Sequence, residues 1–410
     1  MASVTAIRSR LLFAAAIALL ALNLRAAVGS LGVVLEPVRD GLGLNAAVAG
    51  ALTTLPVLCF AGFGALSPGV VRWAGLNRTA FGVLIVAAAG LAARAVVDSG
   101  ALFVVLTVVA LGAAAIGNVI LPALAKQHLP DHLTLISATY GAALMGGAAL
   151  SAGLTVPISD AADSWRAGLG AWAILALASA LPWIPMLRHD VHITVGTKAG
   201  RTKTGIGFRH VARSPMAWAL AASFGVQSSQ AYAQFGWFAS MLDGAGLTSS
   251  SAGAMLSVLS ATGIPVSLSL PFLIRWAGDR PVLPWMFALA TVGGWLGVLL
   301  VPTTTPWAWA ILLGIGGGMF PWCLTMIGRR SMTVDGTASL SGFVQAIGYS
   351  IAAVGPFGVG LLHGATGGYD VPIYALIGAG VAMGVVGTLV VRSGTLEEDL
   401  ERHGAGRVGA

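Results

Sequence analysis

Charge is scarce in this chain: of 410 residues only 9% are charged, while 57% are hydrophobic. That shortage excludes an ordinary water-soluble globule, in which about a quarter of residues are charged. Cysteine is almost missing. Cys59 and Cys323 lie in separate apolar stretches with neither metal-ligand spacing nor a partner close in sequence, which excludes a disulfide framework and a cysteine metal cluster. Carboxylates are absent from the depth of every long apolar run, with Glu36 and Asp98 at run ends and the other acids in connecting stretches or the tail. None of the seven histidines lies deep in such a run either, so no proton relay is visible. The ten-residue alternation of a membrane β-barrel does not occur. Nor does a phosphate loop, a metal cluster or a nucleophile with a partnered base, so neither an enzyme nor a bound cofactor is expected.

What is present is a repeated supply of apolar runs long enough to cross a bilayer, which takes about 20 residues per helix. Spans are expected at 11–35, 45–67, 79–97, 101–125, 134–157, 167–187, 215–240, 250–274, 281–302, 306–328, 336–362 and 371–392. Arg8 and Arg10 ahead of the first run resemble a secretory signal, but apolar sequence resumes after Arg25 as far as Leu35 and makes a full span. The net charge of +7 is distributed by side, not gathered in a nucleic-acid-binding module. Eighteen of the 22 basic residues fall on the face shared with the N-terminus, Arg39 and Arg166 on the opposite face, and Arg25 and Arg94 within spans. The asymmetry places both termini in the cytoplasm of a multi-pass protein of the cytoplasmic membrane. The bilayer is then a partner and nucleic acid is not.

A polar stretch with Arg188, Asp190, Lys198, Arg201, Lys203, Arg209 and Arg213 separates six spans from six. The organisation expected is a six-helix bundle over 1–187, a basic linker over 188–214, a second bundle over 215–392 and a tail over 393–410. At a constant offset of 203, Asp40-Gly41 matches Asp243-Gly244 and Gly43-Leu44 matches Gly246-Leu247. Ala49-Gly50-Ala51 matches Ala252-Gly253-Ala254, and Pro68 with Arg72-Trp73-Ala74-Gly75 matches Pro271 with Arg275-Trp276-Ala277-Gly278. The halves read as a duplication, and same-sense repeats of six helices resemble the major facilitator superfamily. The fold class expected is therefore an all-α membrane protein of twelve transmembrane helices in two pseudo-symmetric six-helix bundles. That superfamily's Gly-x-x-x-Asp-Arg-x-Gly-Arg-Arg loop is only partly kept, with Pro68 and Arg72 at its first Gly and Asp positions and Gly75 retained. Asn23-Leu24-Arg25, the string from Leu52 to Phe60, Gly117 to Pro122, Gly348-Tyr349 and Gly355-Pro356 resemble the cyanate permease and 2-nitroimidazole transporter branch. That resemblance implies a single-polypeptide permease, expected as a monomer, for a small anion or heteroaromatic solute.

Arg25 heads the candidate solute ligands, because a central intramembrane arginine costs about 2.5–3.5 kcal/mol on insertion scales and so faces protein or a water-filled cavity. Ala21, Gly29 and Gly32, at i−4, i+4 and i+7, are small neighbours that leave room for its planar donor fork. The competing reading ties Arg25 to carbonyls of a neighbouring helix. In the seventh span Gln227, Gln230 and Gln234 share a face extended by Ser223 and Trp237, which either lines an aqueous path or glues the helix to its neighbours. Gln345 and Tyr349, one turn apart in the eleventh span, and Asn118 in the fourth complete the set, with an interhelical hydrogen bond the bland alternative for Asn118 and Tyr140. Trp322 reads as packing. The sixth, ninth and twelfth spans carry few polar groups and are expected to face lipid.

The mechanism expected is alternating access around a midplane site, with glycines at Gly146-Gly147 and from Gly355 to Gly360 as places for contact or bending. The first rival is a proton-driven exporter of drugs or toxic metabolites. It is less supported, since no Gly-x-x-x-Gly-Pro occurs in the fifth span and no carboxylate lies deep. A non-transporting sensor is the second rival, for which the tail after Ser393 leaves no room for an output domain.

Overall fold

The computed structural model describes residues 2–44, 46–189, 207–278 and 280–405. Lys198, Arg201 and Lys203 of the linker, with Asp190, lie outside the described residues, as do Asp279 and Arg407. The described chain is helical, with no strand. In chain order the long helices are α1a (Ala2–Leu24), α1b (Ala26–Gly32), α2 (Ala46–Ala74), α3 (Leu76–Arg94), α4 (Gly100–His128), α5 (Leu133–Ala161) and α6 (Trp165–Ala180). There follow α7 (Pro215–Gly244), α8 (Ser249–Ala277), α9 (Val282–Leu300), α10a (Pro306–Gly316), α10b (Met319–Arg329), α11a (Val334–Ala352), α11b (Val354–Thr366) and α12 (Asp370–Arg392). A last amphipathic helix, α13, runs over Leu396–Ala405.

Eleven helical segments among the described residues are long and apolar enough to cross a membrane by length and composition. The segment missing from that set is α7, which at 30 residues is about 45 Å long and ample for a bilayer. Its serines and glutamines lower its hydropathy; they are the side chains singled out above. Three spans are interrupted, and a local change in backbone hydrogen bonding accompanies each break. Pro356 lacks the N–H that would reach the carbonyl of Ala352, where α11a ends, and Pro321 does the same to Gly317, between α10a and α10b. In the first span the Asn23 side-chain amide donates to the Leu19 carbonyl at 2.9 Å, competing with the helix ladder two residues before the break at Arg25.

Two compact units result: unit 1 comprises Met1–Phe208 with Thr333–Gly342, and unit 2 comprises Arg209–Met332 with Phe343–Ala410. Their internal packing repeats. In unit 1, α3 packs on α4 and α6, α2 on α4, and α1a on α5. In unit 2, α9 packs on α10a and α12, α8 on α10a, and α7 on α11b. Backbone geometry shows the same repeat at the positions where only glycine is comfortable. Gly43 and Gly246 have φ of 61° and 103°, and Gly75 and Gly278 have φ of 89° and 57°. Each pair is related by the offset of 203 read from the sequence, so the duplicated strings end helices in the same left-handed way.

Small side chains set the distance between paired helices. A β-carbon on Gly147 of α5 would overlap the Leu22 carbonyl oxygen of α1a and stand 2.8 Å from its carbon, while one on Gly355 of α11b would collide with Ser229 of α7. The acidic tail is also part of unit 2. Asp399 of α13 accepts from the Ser214 hydroxyl at 2.6 Å and the Met216 N–H at 3.1 Å, closing the N-terminus of α7. Glu397 accepts from the Ser331 hydroxyl and the Met332 N–H, both at 2.9 Å.

Candidate functional site

In unit 1 the break at Arg25 stands between two anchors. Before it, Asn23 donates to the Ser179 hydroxyl of α6 at 2.6 Å, and after it the guanidinium of Arg94 on α3 reaches the Ala27 carbonyl at 3.4 Å and the Ser30 hydroxyl at 3.0 Å in α1b. Arg94 is 0% exposed, and Ser30 passes the chain on to the Ala26 carbonyl at 2.5 Å. Arg25 itself, half-buried at the head of α1b, receives the Gly29 N–H on its carbonyl at 2.9 Å, and its guanidinium carbon lies 5.7 Å from the centre of the Phe60 ring. That contact is within the range of a cation–π interaction, which orients the side chain.

The small neighbours expected to make room around Arg25 do not form one continuous face, because the helix is broken there. Ala21 is fully buried, Gly29 is in contact with Ser151 of α5, and only Gly32 opens onto empty space. Asn118 of α4 is buried at 1% exposure. Every described carboxylate lies in a connection, in the tail helix α13 or in the terminal turn of a spanning helix, so no fixed negative charge of the described residues accompanies Arg25 and Arg94 into the apolar depth. Arg94 was visible in the sequence as the other arginine inside a span. Its position at the end of that span concealed that it points inward and holds α1b.

In unit 2 the polar stripe of α7 divides. Gln230 donates to the Leu376 carbonyl of α12 at 2.5 Å and accepts from the Trp295 indole of α9 at 2.8 Å, so both ends of its amide are taken. Ser223 lies 3.6 Å from the Cys323 sulfur of α10b, and Trp237 donates to the Pro356 carbonyl at 3.0 Å. Gln227 is buried, with the neighbouring Ser228 hydroxyl on its Oε1 at 3.3 Å. Gln345 and Tyr349 are buried on α11a, and the Tyr349 ring meets Phe224 of α7 edge to face at 5.1 Å. Trp322 is 2% exposed. Helices α9 and α12 present exposed apolar side chains such as Leu289, Leu300 and Leu389 outward, yet their inner faces take up Gln230. For Gln230 the gluing role is the one its contacts describe. Trp295→Phe, which removes the indole donor and leaves a buried amide oxygen short of a partner, is expected to lower stability by about 0.6–2 kcal/mol. Thermal melting in detergent reads that loss, and transport by the remaining folded protein should keep its KM.

The Major Facilitator Superfamily model matches residues 11–356. The chain belongs to the major facilitator superfamily. Within it the sequence is 33% identical over 371 residues, 90% of each chain, to the uncharacterized transporter YycB of Bacillus subtilis. It is 29% identical to the 2-nitroimidazole transporter of Escherichia coli, over 93% of this chain and 95% of that one. To the cyanate transport protein CynX of the same organism it is 27% identical, over 86% and 90%. Among solved structures the proton:xylose symporter XylE superposes with a TM-score of 0.74 at 12% identity, covering 97% of this chain and 99% of that one. The human organic anion transporter MFSD10 gives 0.69 at 15% identity, over 93% and 99%. At those identities the structures speak for the fold, which in this superfamily has twelve transmembrane helices and so includes α7. The protein is a multi-pass membrane transporter.

Proposed function

We propose that this transporter carries a small anion, or a compact polar or heteroaromatic solute with a delocalised electron-rich end, by alternating access. The observation that carries the reading is the pair of arginines inside unit 1, Arg25 and Arg94, with no described carboxylate deeper in a spanning helix than its terminal turn. In a low-dielectric interior a solute bearing negative charge or strong acceptors gains most from such a cation. Arg25 is the ligand we assign, half-buried and held by Phe60, while Arg94 positions the segment that begins at Arg25. Asn118, Gln227, Gln345 and Tyr349 are assigned as further polar contacts; Gln230 is assigned to the packing of α7. The related transporters named for cyanate and 2-nitroimidazole carry solutes of this compact, electron-rich kind. The basic ends of the helices are assigned to the cytoplasm, with the protein in the cytoplasmic membrane and both termini inside.

The reading is tested by uptake into proteoliposomes of labelled cyanate, nitrate, small carboxylates and neutral nitroimidazoles, with and without an imposed membrane potential. Saturable uptake of at least one small anion or nitroimidazole is expected. Transport confined to cations or bulky lipophilic compounds would refute it.

A further inference from the structure

A cavity of about 110 Å³ opens at the basic ends of α8, α9, α10b and α12 in unit 2. That is several times the 10–15 Å³ that a single water needs. Three of its lining residues are arginines: Arg280 from the turn between α8 and α9, Arg329 at the end of α10b, and Arg330 just after it. None of its described lining residues is acidic; Asp279, between Gly278 and Arg280, lies outside the described residues. Arg330 is fixed by the carbonyls of Val391, at 2.8 Å, and Ser393, at the end of α12. Arg280 and Arg329 are exposed and, among the described residues, make no ion pair or side-chain hydrogen bond. The rest of the wall is apolar, with Ile274, Leu283 and Met326 among its members. The opposite, outer faces of the same helices carry large apolar side chains: Phe272 and Trp276 of α8 are 64% and 63% exposed, and Leu389 of α12 is 51% exposed.

Arg280 and Arg329 bring two exposed guanidinium groups to one small cavity beside the anchored Arg330, and arginine forks match phosphate oxygens. The outer faces of these two helices distinguish between two sources of phosphate. A soluble phosphate gains nothing from exposed Phe272 and Trp276, whereas the acyl chains of a phospholipid lie along such a surface with tryptophan at the level of the headgroup. We infer that this cavity binds the phosphate headgroup of an anionic phospholipid, with its acyl chains on the outer faces of α8 and α12. The site is separate from the solute ligands proposed above and does not depend on what the protein transports.

The test is native mass spectrometry of the full-length protein released from detergent micelles doped with phosphatidylglycerol or phosphatidylcholine. The wild type is compared with Arg280→Gln/Arg329→Gln and with Arg209→Gln/Arg213→Gln, which removes the same charge from exposed positions outside the cavity. Arg330 is left intact because it holds the end of α12. Retained phosphatidylglycerol is expected to fall roughly ten- to thirty-fold in the cavity variant, the loss of two near-surface cations. It should stay at the wild-type level in the control variant, and phosphatidylcholine should be retained weakly by all three. Equal loss in both variants, or none in either, overturns the inference. A thermal shift with inorganic phosphate that depends on Arg280 and Arg329, without preference for phosphatidylglycerol, assigns the cavity to a soluble phosphate and overturns the lipid assignment.

Discussion

Arg25→Ala is expected to reduce uptake of the transported anion by about ten- to a hundred-fold while the protein still folds and inserts. The loss follows from removing a charged hydrogen-bond donor set worth about 1.5–3 kcal/mol to a bound acceptor. Folding should survive because the break in the first span is held on both sides by other residues, Asn23 on Ser179 and Arg94 on Ser30, and Arg25 is only half-buried. Arg25→Lys keeps the charge but replaces a planar fork with a point charge, so an intermediate loss is expected, chiefly as a raised KM. Arg94→Lys separates the two arginines: removing its reach to Ala27 and Ser30 frees α1b, and stability should fall together with uptake. Proteoliposome uptake with a melting curve for each variant decides the matter. Normal transport by Arg25→Ala would remove the guanidinium from the proposed solute contacts.

The second large effect is structural. Gly147→Val should prevent accumulation of folded protein, and Gly147→Ala should lower its melting temperature sharply. Even one methyl group would overlap the Leu22 backbone, which cannot rotate away as a side chain would. Overpacking costs about 1–3 kcal/mol where neighbours can shift, and more where they are backbone. Leu22 is fixed one residue before the Asn23–Ser179 anchor, so α1a has little freedom to yield. Gly153→Ala on the same helix is the control. Its β-carbon meets open space, and the gain in helix propensity, up to about 1 kcal/mol, should leave stability unchanged or raised. Fluorescence-detected size exclusion and melting in detergent distinguish the two. Equal behaviour of Gly147→Ala and Gly153→Ala would mean that α1a and α5 do not approach through Gly147.

How much was legible beforehand differs between the fold and the site. The duplication was open to view because the helix-ending glycines must recur wherever the backbone turns left-handed, and Gly43 with Gly246 and Gly75 with Gly278 do so at one offset. The interruptions near Pro321 and Pro356 each coincide with a missing N–H, although Pro56, Pro122 and Pro265 stand inside unbroken helices. The break at Arg25 has no such marker, since it depends on an asparagine amide reaching back to Leu19 and across to Ser179. Gln230 illustrates the other limit. Periodicity placed it on one face with Gln227 and Gln234, but its partners, Trp295 and the Leu376 carbonyl, stand 65 and 146 residues away in sequence.

By itself, then, the sequence determined that the chain crosses a membrane many times, that it is built from two like halves, and that arginine without a deep carboxylate lies in its interior. Those properties follow from transfer free energies and local backbone geometry, which each segment carries alone. Tertiary structure alone decided which intramembrane polar groups are occupied by their neighbours. It turned Gln230 into a clasp between three helices and Arg94 into a support for α1b, and gathered Arg280, Arg329 and Arg330 around one cavity. A hydrogen bond across helices depends on distance and direction in space, and residues far apart in the chain acquire those only when the bundle closes.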